Sequence, residues 1–152
     1  MRAHQRERFQ MPRWVRLAVY GVGLLCAFSG VLWLLLHHFV QVEGEFGPEP
    51  SPFQHPLLVL HGVVAAMLIW LFGLLWLTHV RRAWKRRRNW RSGGFMVLLL
   101  AWLAISGLGL YYLGSEQWRQ YTGIAHWLAG IIATLWLPFH IWRGRRAVQL
   151  PP

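Results

Sequence analysis

Apolar residues gather into four long runs along the chain, at about 15–39, 57–80, 94–113 and 122–142, with shorter polar stretches between them. Each run reaches the ~20 mainly apolar residues that a helix needs to cross a bilayer. The first is too long for a cleaved signal peptide and lacks a small-residue cleavage pattern. After run one, "QVEGEFGPEPSPFQHP" is rich in Pro, Gly and Glu, which suits an irregular loop. Pro56 stands where it can open run two as a first-turn proline. "RNWRSGG" separates runs two and three, and Gly93-Gly94 are expected to end any helical extension there. "LGSEQWRQYTG" forms the short connection between runs three and four. Short connections make successive helices antiparallel neighbours. The expected fold class is therefore an all-α membrane protein, an antiparallel four-helix transmembrane bundle over 15–142. Residues 1–14 are its basic lead-in and 143–152 its tail.

Charge orients this bundle. The formal net charge is +11, which by itself suggests nucleic acid, but the basic residues are not spread over a surface. Arg2, Arg6, Arg8, Arg13 and Arg16 precede run one. Arg81, Arg82, Lys85, Arg86, Arg87, Arg88 and Arg91 lie between runs two and three, and Arg143, Arg145 and Arg146 follow run four. Only Arg119 falls in a loop of the other side, where Glu43, Glu45, Glu49 and Glu116 also lie. With four spans, the three basic segments share one side, and the positive-inside bias makes it the cytoplasm. Both termini are then cytoplasmic and the expected location is a bacterial inner membrane. Topology and contact with anionic lipid headgroups are the expected role of "RRAWKRRR", with a cytoplasmic docking patch as the alternative. Nucleic acid is excluded as a partner.

Other residue types add less. Trp14, Trp84, Trp90, Trp118 and Trp142 fall at run ends, where indoles form interfacial belts. Trp33, Trp70, Trp76, Trp102, Trp127 and Trp136 lie deeper, as packing bulk or beside a cofactor. Cys26 is the single cysteine and is expected to pack in the core. With no partner cysteine it can form neither a disulfide within the chain nor a CxxCH haem attachment.

The eight histidines carry the chemistry. His4 is in the lead-in; the other seven lie in or beside runs one, two and four. His126 and His140 are 14 residues apart, close to four turns, so they share a helix face with about 21 Å of rise between them. His61 and His79 are 18 apart, five turns, with about 27 Å of rise. Runs two and four both pass from outside to inside. His61 and His126 therefore lie at matched outer depths, and His79 and His140 at matched inner depths. A six-coordinate haem needs one imidazole from each side, and two facing helices can supply both. Gly62, Gly73, Gly130, Gly107 and Gly109 would give a macrocycle room, although close helix packing explains glycine equally well. Single intramembrane histidines often just satisfy a neighbour, but two same-face pairs at matched depths point to function. Zinc would want three or four ligands at one depth, and neither level clearly supplies them.

The last run, "GIAHWLAGIIATLWLPFHIWRG", with thirteen residues between its two histidines, resembles the ligand helix of the bacterial transmembrane di-haem cytochromes b. That family includes the cytochrome b-561 type and the cytochrome b subunits of formate dehydrogenases and hydrogenases. The resemblance covers about residues 55–145. It implies two non-covalent haem b groups, with His126 and His140 as axial ligands to the outer and inner haem iron and His61 as the outer partner. Several members take the fourth ligand from the first helix, but run one has no histidine in its inner half. His79 is the only suitable inner candidate. Its longer spacing leaves about 6 Å of rise to absorb, to which a kink at Pro138 can contribute.

The resemblance further implies electron transfer between a quinone pool and a redox partner, as a subunit of a larger complex or through a periplasmic or cytoplasmic carrier. A self-contained oxidoreductase acting on quinol or superoxide remains open. His37, His38, His55 and Arg119, with Tyr111, Tyr112 and Glu116, are candidates to contact a quinone or haem propionates; interfacial polarity explains them as well. The rival is a non-redox subunit that stabilises a larger assembly. Transport is disfavoured, because no carboxylate lies within a run and no run is interrupted near its middle.

Overall fold

The computed structural model describes residues 12–87 and 89–149. Arg2, His4, Arg6, Glu7, Arg8 and Arg88, most of the basic lead-in and the last three residues of the tail lie outside the described residues. The elements run α1 (Arg13–Phe39), β1 (Gln41–Gly44), β2 (Gly47–Pro50), α2 (Gln54–Leu75), a π-helical turn (Trp76–Val80), α3 (Arg81–Lys85), α4 (Trp90–Tyr112) and α5 (Glu116–Gln149).

Four helical stretches, Arg13–Phe39, Gln54–Lys85, Trp90–Tyr112 and Glu116–Arg146, are long and apolar enough to cross a membrane. No more than 11% of the most apolar window in any of them is buried inside the chain. Leu24, Leu98 and Leu135 all point outward. In water that surface would drive aggregation. In lipid it costs nothing, and the helix satisfies its own backbone hydrogen bonds. The five tryptophans at the helix ends are exposed as well, as an interfacial belt requires.

The helices pack most closely as two pairs, α1 on α2 and α4 on α5, and α1 also touches α5. Val64, Leu71, Leu99 and Ala129 form the small apolar core. Ring contacts from α2 and its π-turn to α5 join the two pairs at two heights. Because the earlier histidine of each strand of contacts meets the earlier one of the other, α2 and α5 run in the same direction.

Several boundaries differ from the expectations. The first loop is not irregular, so the chain is mostly rather than wholly helical: β1 and β2 form an antiparallel hairpin in which Gln41 faces Pro50 and Gly44 faces Gly47. Its prolines obscured it, yet a two-stranded ribbon has only edge strands, where a missing N–H is tolerated. Gly47 takes φ +122°, a conformation glycine reaches without strain. Helix α2 starts two residues before Pro56; the proline still costs no bond, because the first N–H groups of a helix have no intrahelical partner.

Gly93-Gly94 do not end a helix but lie in the first turns of α4. The chain reverses earlier, at Arg87 and Asn89, which take φ of 48° and 51°. Asn89 also donates from Nδ2 to the His140 carbonyl at 3.3 Å, tying the turn to α5. Replacing Asn89 by alanine is expected to destabilise the fold by about 1–2 kcal/mol, the cost of a left-handed alanine. Thermal unfolding of the detergent-solubilised protein would measure it.

Candidate functional site

Membrane-buried hydroxyls need partners. Among the described residues the buried polar side chains are Ser29, Ser51, Ser92 and Ser106, and three of these four hold a histidine. Ser106 Oγ lies 2.8 Å from His126 Nδ1, and Ser92 Oγ lies 2.8 Å from His140 Nδ1. Ser29 Oγ lies 3.2 Å from His61 Nδ1. Each serine is followed by a glycine. A Cβ on Gly107 would stand 3.5 Å from His126 Cε1, one on Gly93 3.5 Å from His140 Cε1, and one on Gly30 only 2.9 Å from His61 Cε1. A Ser-Gly dipeptide therefore forms the seat of each ring: the hydroxyl takes Nδ1 and the bare glycine backbone accepts the ring edge.

Counting protons assigns two of the tautomers. Ser106 donates its single proton to the Trp102 carbonyl at 2.7 Å, so its oxygen is free to accept from His126 Nδ1–H. His61 Nδ1 lies 3.0 Å from the Cys26 carbonyl, which can only accept, so Nδ1 carries the proton there too. Ser29 donates to the same carbonyl at 3.0 Å. In both rings Nε2 is left with a lone pair, the form in which imidazole binds a metal. Cys26 is thus more than packing: its carbonyl orients His61, and its Sγ stands 3.9 Å from Nδ1.

The rings meet across the two helices. His61 and His126 have centroids 6.3 Å apart with planes at 85°, and His79 and His140 have centroids 6.3 Å apart with planes at 86°. The pairs expected from spacing, His61/His126 and His79/His140, are the pairs brought together. Two imidazoles on opposite sides of one metal atom would stand about 6.2 Å apart, from bonds of about 2.0 Å and a ring radius of roughly 1.1 Å. Edge-to-face ring pairs occupy the same range. The distinction lies in the nitrogens, because at three of the four rings Nδ1 is already engaged and Nε2 remains as the donor atom.

His79 stands apart. It lies in the π-helical turn Trp76–Val80, is exposed, and has no hydrogen-bond partner among the described residues. A π-turn closes i→i+5 bonds and fits an extra residue into a turn. This takes up part of the excess rise between His61 and His79, so that the ring still reaches the level of His140.

Two deep tryptophans join the scaffold. Trp102 Nε1 donates to the Ala125 carbonyl at 3.4 Å, beside His126, and Trp136 Nε1 to the Ser92 carbonyl at 3.3 Å. Of the five glycines expected to make room, only Gly107 meets a histidine; Gly73 has nothing near it, and Gly62 faces the Tyr111 hydroxyl. Gly30 and Gly93, outside that expected set, also meet histidines. The available signal was the recurrence of "SG" at 29–30, 92–93 and 106–107, the last two 14 residues apart like His126 and His140.

The remaining candidates gather at the hairpin end, and no hydrogen bond or ring contact joins them to the pairs. His37 stacks on Trp33 at 4.7 Å and lies 3.3 Å from Gln54 Oε1. His38 packs edge-on against His37. His55 is exposed, and Arg119 is paired with Glu116 one helical turn away. Between α1 and α2, Leu32, Leu36, Phe53, Pro56, Leu57 and Leu60 line an open apolar groove of about 460 Å³.

Among the described residues no group of three His, Cys, Asp or Glu side chains could hold a metal ion. Comparison with family models, curated proteins and solved structures finds no match to the chain.

Proposed function

We propose that the chain is an integral-membrane di-haem b-type cytochrome. It carries electrons across the membrane between a quinone pool and a redox partner, as a subunit of a larger respiratory complex. Its four spans form an up-down-up-down bundle with both termini cytoplasmic, so that His61 and His126 would hold the outer haem and His79 and His140 the inner. The observation that carries this proposal is the repeated pair: the same two helices, the same 6.3 Å, at two heights. A non-redox assembly subunit would have no use for that repetition, or for three buried serines spent on imidazole nitrogens.

When bound, haem iron supplies reversible one-electron redox chemistry, with a potential tuned by ligation, burial and hydrogen bonding. The protein's part is to present Nε2 lone pairs at fixed positions. Ser29, Ser92, Ser106 and the Cys26 carbonyl stop the rings from rotating, and Gly30 leaves out the side chain that would push His61 away.

The groove between α1 and α2 has the size and apolarity of a small-molecule site. It lies beside Leu60, next to His61, with His37, Gln54 and His55 near its rim. We assign it to the isoprenoid quinone. Leu57→Trp, which fills it, is expected to slow quinol-driven reduction severalfold while leaving the dithionite-reduced spectrum intact.

A dithionite-reduced minus oxidised spectrum with pyridine haemochrome quantitation tests the function as a whole. Two b haems per chain are expected, and a protein purified from haem-sufficient cells with none would refute the proposal.

A further inference from the structure

Three of the four histidines sit on a Ser-Gly seat and the fourth does not. On α4 the seats are 14 residues apart, Ser92-Gly93 and Ser106-Gly107, and they serve His140 and His126. On α1, Ser29-Gly30 serves His61. The position 14 residues earlier on α1, the spacing that separates the two α4 seats, holds Val15-Arg16, which offers neither a hydroxyl nor a bare backbone. His79 is also the ring carried on a π-turn, exposed, and without a hydrogen bond among the described residues.

We propose that Ser29, Ser92 and Ser106 are positioning residues that lock three imidazoles through Nδ1, and that the unlocked His79 is the exchangeable ligand, making the His79/His140 level a binding site for a small diatomic ligand. This rests on the di-haem reading. Partners of the second ring nitrogen fix a ligating histidine's orientation and raise its basicity, and losing them costs about 10–100-fold in metal affinity. A locked ring meets the metal already oriented. His79 must lose its rotational freedom on binding and gains no help from a hydrogen-bond acceptor, so its bond opens far more often than the other three. Its place in the wide π-turn beside Arg81 and Arg82, at the end of the span, leaves the opened position within reach of the interface. His61 and His126 both have their rings held.

Carbon monoxide added to the dithionite-reduced, full-length protein is the probe, read by the difference spectrum together with haem content. One of the two haems is expected to bind it. The same haem should bind it more tightly in His79→Ala, with the other haem unaltered. Ser106→Ala should make the second haem reactive as well and move its midpoint potential, whereas Ser106→Thr, which keeps the hydroxyl, should restore both properties. Two haems with no carbon monoxide binding in the unsubstituted protein would overturn the exchangeable ligand while leaving the cytochrome intact. Binding that survives loss of the inner haem in His140→Ala would overturn the assignment to His79. Ser106→Ala without change in reactivity or potential would overturn the role of the serines. A protein without haem overturns this inference and the function together.

Discussion

Replacing His126 by alanine is expected to take the haem content from two per chain to one, with the inner haem remaining. His126 is the firmest member of the set. Its Nδ1 is engaged by Ser106 at 2.8 Å, the Ser106 proton is committed to the Trp102 carbonyl, and its ring stands 6.3 Å from that of His61. Alanine removes the Nε2 donor and leaves His61 as a lone ligand over an emptied space. The inner pair should not respond, because His140 is about 21 Å of rise away on the same helix, beyond the distance at which substitutions usually couple. His140→Ala is the mirror experiment and should leave only the outer haem. Pyridine haemochrome absorbance per mole of protein reads both results directly. Two haems retained in His126→Ala would mean that another residue ligates the outer iron.

The second large effect is expected from the smallest side chain at the site. Gly30→Ala places a methyl group 2.9 Å from His61 Cε1, closer than carbon atoms tolerate. The ring cannot swing freely to relieve the contact, since its Nδ1 is held by the Cys26 carbonyl at 3.0 Å and lies against the Ser29 hydroxyl at 3.2 Å. Either those bonds break or α1 moves away from α2. In both cases Nε2 leaves the position facing His126, with an expected loss of about 10–100-fold in outer-haem affinity. Gly107→Ala is the control. Its methyl would meet His126 Cε1 at 3.5 Å, an ordinary contact, and haem retention should be close to that of the unsubstituted protein. Equal loss from the two substitutions would show that the seat under His61 is not specially tight.

Much of this arrangement is legible in the sequence because two strong periodicities govern it. Apolar runs long enough for a bilayer mark the helices, and a spacing of whole helical turns places His126 and His140, like His61 and His79, on common faces. Local features escaped for local reasons. The hairpin at 41–50 is hidden by Pro48 and Pro50, which read as strand breakers although both strands are edges. The π-turn at His79 has no sequence signature of its own. Gly93 looks like a helix terminator because propensity cannot see the tertiary contacts of α4, where His140 from another helix stands 3.5 Å from the position of a Gly93 Cβ. Taken singly, the serines carry no signal in the sequence because a hydroxyl in a span is usually satisfied by its own backbone. Ser106 does bond that way, and its oxygen still accepts from His126.

The central claim, two irons each held between two imidazoles, has one direct spectroscopic test. The paired rings lie nearly perpendicular, at 85° and 86°, and ferric haem between perpendicular imidazoles gives a strongly anisotropic low-spin resonance. Low-temperature electron paramagnetic resonance of the oxidised protein should show two such low-spin signals, with the outer lost in His126→Ala and the inner in His140→Ala. An oxidised sample with no low-spin iron, or with signals unmoved by either substitution, would contradict it.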